Sequence, residues 1–297
     1  MNEKVMQNKL NPTSSRGIFD YTLIVVLIVN LVYSLLVGAI PSNEVFIMVF
    51  SYICTPICIV LGVYLYGKKY NENYFLQVKF EKTTLKSWLA MILITFGMMF
   101  GLSELNNLFV EFLQSLGYTL APITLPEKNF LNVTLVIVFI CIVPAVFEEF
   151  LMRGLILGGL KSGGKVFAVL VSATLFALFH MSPQQTIYQF LVGALYALIV
   201  VMGGGWQVTL VSHLVNNLFI VLNEYFFKLS FTVDAQIILT ILGLISLALG
   251  VFLLLFKQEK QTQNKQELLI SQKEFIQKPS WGIIICLVFW VVNLIGL

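Results

Sequence analysis

Six polar residues in an otherwise apolar stretch carry the chemistry this chain offers. Glu148 and Glu149 stand side by side, with Arg153 four residues after Glu149. His180 and His213, the chain's two histidines, each fall inside a hydrophobic run, and Asn217 lies four residues beyond His213. An ionisable group in hydrocarbon costs roughly 2.5–3.5 kcal/mol by insertion scales, so such groups persist where they are paired or used. Two carboxylates and two imidazoles are equipment for activating water. Glu149 and Arg153 share a helix face at i, i+4 and can pair, which offsets much of the cost of burying either. Glu148 lies about 100° round the same helix, and no Lys or Arg stands three or four residues from it. Its carboxylate is therefore the one left to serve as a base. His213 and Asn217 also share a face, and a ring N–H with an amide NH₂ can hold an oxyanion. Taken one at a time these features have plainer readings: a structural ion pair, a hydrogen-bonded packing histidine, a polar contact between helices. Their joint occurrence, in order, on three closely spaced apolar segments favours a site.

The elements that must position these residues are membrane helices. Of the 297 residues, 58% are hydrophobic and 11% charged, with a mean hydropathy of +0.90. Soluble domains carry about 25% charged residues. Continuous apolar runs of about 20 residues indicate helices rather than barrel strands. Runs at 20–40, 45–66, 87–110, 133–158, 166–182, 185–203, 206–227 and 234–256, with a shorter one at 281–297, predict an all-α polytopic bundle of eight or nine spans. Fifteen Lys and Arg residues sort onto one set of connecting segments, while Lys128 and Lys228 fall on the other. That asymmetry places the N-terminus in the cytoplasm. The first run is too long for a signal peptide, so it is expected as an uncleaved span, although Val37-Gly38-Ala39 has the look of a cleavage site.

The order of elements suggests three parts. Residues 1–129 form a cytoplasmic tail and three spans, 130–227 a four-span core with all six polar residues, and 228–297 a further span, a polar linker and a short apolar span. The linker, Lys257 to Pro279, is expected to be solvated. Leu268, Leu269, Phe275 and Ile276 offer an interfacial helix as the alternative. Gly203-Gly204-Gly205 predicts a tight turn, and Cys54, Cys58, Cys141 and Cys286 are expected as buried thiols without disulfides.

Depth along the helices tests whether the polar residues can meet. Counting from the turn Lys161-Ser-Gly-Gly-Lys165 at ~1.5 Å per residue, Glu148 lies roughly 20 Å away along the fourth run and His180 roughly 22 Å along the fifth. His213 lies roughly 14 Å past the Gly turn. The depths match only if the fourth helix continues through Gly154–Leu160.

Glu148-Glu149-Phe-Leu-Met-Arg153-Gly154, preceded by Pro144, then Phe176-Ala-Leu-Phe-His180 and His213-Leu-Val-Asn-Asn217, resemble the motifs of the CAAX protease and bacteriocin-processing family. These are intramembrane proteases related to the Ras-converting prenyl endopeptidase. The resemblance spans about residues 130–225. It implies that Glu148 and His180 activate water, that His213 and Asn217 stabilise the oxyanion, and that Glu149 and Arg153 brace them. It implies no cofactor in a glutamate mechanism; the absence of a His-Glu-x-x-His motif leans that way, and Glu148, His180 and His213 remain the zinc ligands of a metalloprotease alternative. The expected partners are a membrane-associated peptide or protein substrate and the bilayer, with no nucleic acid. A composition rich in Leu, Ile, Lys, Asn and Gln fits a bacterial plasma membrane. There, peptide maturation, bacteriocin immunity or signalling control suits better than prenyl-protein processing. A proton-coupled transporter is the rival from another class, and a catalytically silent scaffold is the third reading.

Overall fold

The computed structural model describes residues 10–36, 44–120, 125–256 and 264–296. Lys4, Lys9, Lys257 and Lys260, used in the charge count, lie outside them, as does Val37-Gly38-Ala39. Among the described residues every regular element is helical. The helices are α1 (Pro12–Leu36), α2 (Glu44–Tyr70), α3 (Leu85–Ser115), α4 (Phe130–Gly163), α5 (Lys165–Phe179), α6 (Pro183–Gly204), α7 (Trp206–Leu222), α8 (Val233–Leu255), α9 (Lys265–Ile276) and α10 (Trp281–Ile295). Capping side chains start several of them. Thr84 accepts from the Ser87 N–H, Asn129 from Asn132, Thr232 from Ala235 and Asn264 from Gln266. Each satisfies one of the orphan donors of a first turn.

Each of the nine expected apolar runs is largely helical over its described residues, but they are not equal as spans. Among the described residues, six helices are long and apolar enough to cross a membrane, or seven if α9 and α10, bent by 57°, act as one. This makes the chain a multi-pass membrane protein. Helix α5 has 15 residues and rises about 22 Å, short of the ~30 Å hydrocarbon core. Helix α7 carries Gln207, Thr209, Ser212, His213, Asn216 and Asn217 among its 17 residues, which dilutes its hydropathy. His180 follows the end of short α5, and His213 lies on polar α7.

The chain forms two compact units that interleave along the sequence. The first takes the described residues within Met1–Lys79, Leu125–Ser172 and Thr262–Val288. Here α1 packs on α2, with the Cα of Gly62 facing the Thr22 backbone so closely that a Cβ would lie 2.5 Å from it. Helix α4 continues through Gly154–Leu160 to Gly163, as the matched depths require. The stretch read as a solvated linker is helical from Lys265 to Ile276. Its Phe275 is buried against Phe167, and Gln272 donates to the Gly163 carbonyl at 2.8 Å. Arg16 donates to the carbonyls of Glu274, Phe275 and Lys278 at 3.2, 2.6 and 3.3 Å, holding the C-terminal end of α9. One turn on, Asp20 accepts from the Ser280 hydroxyl and from the Gly282 N–H, pinning the start of α10.

The second unit takes Phe80–Thr124, Ala173–Gln261 and Phe289–Leu297 as far as they are described. Its tightest seam joins α3 to α8. A Cβ on Gly243 would stand 2.5 Å from the Gly101 nitrogen, and one on Gly97 would stand 2.8 Å from the Gly243 oxygen. Gly97 and Gly101 form the small-xxx-small spacing that lets membrane helices approach closely. The Gly turn between α6 and α7 forms as expected, with Gly203 at φ 90° and Gly205 at φ 69°. The four cysteines are free thiols, three of them buried. Overpacking typically costs about 1–3 kcal/mol, so Gly243→Val should lower the thermal midpoint of the detergent-solubilised protein by several degrees. Unchanged unfolding would show that this seam is not close-packed.

Candidate active site

The first unit holds the acidic half of the predicted set. In α4, Glu149 has no solvent exposure and Arg153 has 2%. Arg153 Nη1 donates to Glu149 Oε1 at 2.8 Å, the ion pair that the i, i+4 spacing predicts. Directly after Glu149 the helix widens into a π-helical segment, Phe150–Ile156. Such widening is uncommon and frequent at functional sites. It also shifts the backbone carbonyls, and one of them is met from outside: Ser15 of α1 donates to the Ile156 carbonyl at 2.8 Å. Phe75 stacks on Phe150 with centroids 5.8 Å apart. Val78 fits against Gly154, where a Cβ would meet it at 2.7 Å. Glu148 is half-buried on the neighbouring face. Helix α2 packs against Val143–Glu149 and brings Tyr52 within electrostatic range of Glu148.

The second unit holds the imidazole half. Helix α5 ends at Phe179, just before His180 and Met-Ser-Pro, as proline chemistry dictates. The Phe176 carbonyl lies 2.8 Å from His180 Nδ1. A carbonyl only accepts, so Nδ1 is the donor, and in the neutral ring the lone pair lies on Nε2. His213 is buried at 8% exposure. The Phe176 ring is the shared wall of the two imidazoles, 4.8 Å from His180 and 6.3 Å from His213 by centroid, nearly perpendicular to both. Gly193 of α6 makes room for it: a Cβ there would lie 3.1 Å from the Phe176 ring.

Helix α7 presents two polar faces with different uses. Ser212 and Asn216 share one. The Ser212 hydroxyl lies 2.6 Å from Thr95 of α3 and 3.2 Å from the Tyr196 hydroxyl of α6. Tyr188 of α6 donates to Asn216 Oδ1 at 3.0 Å. These buried bonds clamp α7 in rotation, as a satisfied polar network does. His213 and Asn217 occupy the next face, about 100° round. Sequence reasoning missed the clamp. Its signal was there in the form of Ser212, Asn216, Tyr188 and Tyr196 inside apolar runs, but pairing across helices is not written in spacing.

The structure thus gathers Glu148, Glu149 and Arg153 in one unit and His180, His213 and Asn217 in the other. The named zinc donors divide the same way, one and two. Among the described residues no three His, Cys, Asp or Glu side chains form a group able to hold a metal ion.

Residues 130–219 match the family model described as type II CAAX prenyl endopeptidase, Rce1-like. This supports the CAAX protease family for the chain. The Rce1-like segment covers under a third of the sequence but contains all six polar residues of the predicted set. It runs through α4, α5, α6 and most of α7, and it points to a protease that works in a membrane. No curated protein and no solved structure gave a significant match to the chain.

Removing one partner of a buried ion pair costs roughly 3–5 kcal/mol, whereas replacing both with apolar groups is often close to neutral. Arg153→Ala should therefore sharply lower the monodisperse fraction on size exclusion. The double variant Glu149→Leu/Arg153→Met should recover much of it. Equal yields for all three would show that the pair is not a folding constraint.

Proposed function

We propose that the protein is an intramembrane endopeptidase that hydrolyses a peptide bond of a membrane-associated peptide or protein by activated water. The observation that carries this is the Rce1-like match over the segment holding Glu148, His180, His213 and Asn217. In the proposed reaction, Glu148 takes one proton from the water that attacks the scissile carbonyl, and His180 Nε2 accepts a hydrogen bond from the other O–H of the same water. The His180 tautomer set by the Phe176 carbonyl supports that role. His213 and Asn217 donate to the oxyanion, from the face of α7 next to the one that Ser212 and Asn216 hold. Collapse of the tetrahedral intermediate returns the proton to the leaving amine. Glu149 and Arg153 hold α4 in register without reacting.

The proposal places residues 130–227 as the protease core, with the N-terminus in the cytoplasm and eight or nine segments embedded in a bacterial plasma membrane. Short α5 and polar α7 then act as core helices shielded by longer neighbours. Peptide maturation, bacteriocin immunity or signalling control are the roles that suit such a site. The chemistry is assigned as glutamate-type, without a metal.

Purified protein in liposomes should cleave at least one member of a peptide pair, a farnesylated CAAX peptide and its unprenylated counterpart, read by mass spectrometry. Glu148→Gln should abolish cleavage. Asn217→Ala should cost on the order of 10²–10³-fold, as loss of one oxyanion donor does. No cleavage by wild type, together with proton flux across the liposome, would turn the assignment to a transporter. In the same preparation active protein should contain no stoichiometric zinc and ignore strong chelators. One zinc per chain, lost and regained with activity, would make Glu148, His180 and His213 ligands instead.

A further inference from the structure

The last helix lies far outside the Rce1-like segment, yet it reaches the residues that follow His180. Beyond α5 the chain turns sharply. Met181 adopts a left-handed backbone, φ 50°, uncommon for a residue with a side chain. Its N–H returns to the Leu178 carbonyl at 2.9 Å, so its own carbonyl points away from the helix. Pro183 has no N–H to offer locally. The donor comes from α10: Asn293 Nδ2 lies 2.8 Å from the Met181 oxygen. Three residues earlier on α10, Trp290 Nε1 donates to the Thr186 hydroxyl at 2.7 Å. That hydroxyl in turn donates to the Ser182 carbonyl at 3.0 Å. The two peptide units after His180 are thus both held, one directly and one through Thr186, by two side chains one turn apart on α10.

Composition makes the arrangement purposeful. Helix α10 reads Trp-Gly-Ile-Ile-Ile-Cys-Leu-Val-Phe-Trp-Val-Val-Asn-Leu-Ile, and Asn293 is its one amide. Asn293 is exposed on this apolar helix, where a membrane would surround it with hydrocarbon. An amide there is costly unless it is hydrogen-bonded. A carbonyl turned out of a helix end has the same need. Each group answers the other.

We propose that α10 is a positioning element for His180, acting through Asn293 and Trp290 on the Met181–Thr186 turn. The imidazole is fixed on its own helix by the Phe176 carbonyl, so the backbone at 180–182 sets the direction of Nε2. Loss of the Asn293 donor frees the Met181 carbonyl, relaxes the left-handed residue and swings the ring. The consequence for catalysis rests on the reading of His180 as a water-activating group; the consequence for the ring does not.

Two measurements separate these. The full-length protein has two histidines, so ¹⁵N-histidine labelling in nanodiscs gives two imidazoles, assigned with His213→Asn. In wild type, His180 should show the Nδ1–H tautomer. Asn293→Ala and Trp290→Phe should shift the His180 ring signals and leave those of His213 in place; Asn293→Gln, which keeps a donor, should shift them less than Asn293→Ala. In cleavage of whichever peptide of the pair is turned over, Asn293→Ala should lower kcat about tenfold with KM within about twofold, less than the roughly 10²-fold that a 1 Å misplacement costs. His180 signals unchanged in both Asn293→Ala and Trp290→Phe would overturn the proposal, as would an Asn293→Ala loss confined to KM. If wild type cleaves neither peptide, the protease reading fails, and the imidazole spectra alone decide the role of α10. Should Asn293→Ala fail to fold, Trp290→Phe, which keeps the apolar bulk, carries both readouts.

Discussion

Hydrocarbon admits no lone charge and no lone polar backbone group, and this constraint organises both units. Its plainest expression is the Glu149–Arg153 pair, 2.8 Å apart with side chains closed to solvent. Each residue makes the burial of the other tolerable. The pair also coincides with a backbone disturbance, the π-helical segment Phe150–Ile156, and the same constraint spreads outward from there. The widened turn turns carbonyls out of the usual ladder, so Ser15 comes to Ile156, and Phe75 and Val78 close over Phe150 and Gly154. Helix α1 thereby becomes a support for α4. The same helix uses Arg16 and Asp20 to satisfy the end of α9 and the start of α10. Glu148 stands one position before the pair, half-buried on the neighbouring face of the same helix.

In the second unit the same rule divides α7. Its polar side chains are too many for a lipid-facing helix, and several are bonded to its neighbours. Ser212 and Asn216 bind hydroxyls of α3 and α6. The antiparallel run of α6 and α7 from the Gly turn explains the order: Tyr196, nearer the turn, meets Ser212, and Tyr188, farther away, meets Asn216. With rotation fixed, His213 and Asn217 are held on the adjacent face, and Phe176 sets the two imidazoles on one ring.

What was legible in the sequence follows from this physics. Hydropathy gave the helices, and i, i+4 spacing gave the ion pair, because both are local. The end of α5 was legible from Pro183, and the turn at 203–205 from its glycines. The count of spans was less legible, because α5 is short and α7 is rich in polar side chains. The hydroxyl clamp and the grip of Asn293 on Met181 were invisible, since their partners are 117 and 112 residues apart. Of the two readings of 257–279, the solvated linker does not hold over the described part, Lys265–Ile276, where a helix forms as in the alternative. Its composition is that of a solvated linker, and only the contacts of Phe275 and Gln272 make Lys265–Ile276 a packed helix.

The central proposal is that the carboxylate of Glu148 and the imidazole of His180 act on one water. Proximity tests it most directly, without any substrate. In a background with Cys54, Cys58, Cys141 and Cys286 replaced, Glu148→Cys/His180→Cys would be treated with a short bifunctional thiol reagent in liposomes. Thr95→Cys/Ser212→Cys, whose native hydroxyls are 2.6 Å apart, serves as the control. The account predicts efficient intramolecular linkage of both pairs. Linkage of the control alone would separate Glu148 from His180 and contradict the shared site.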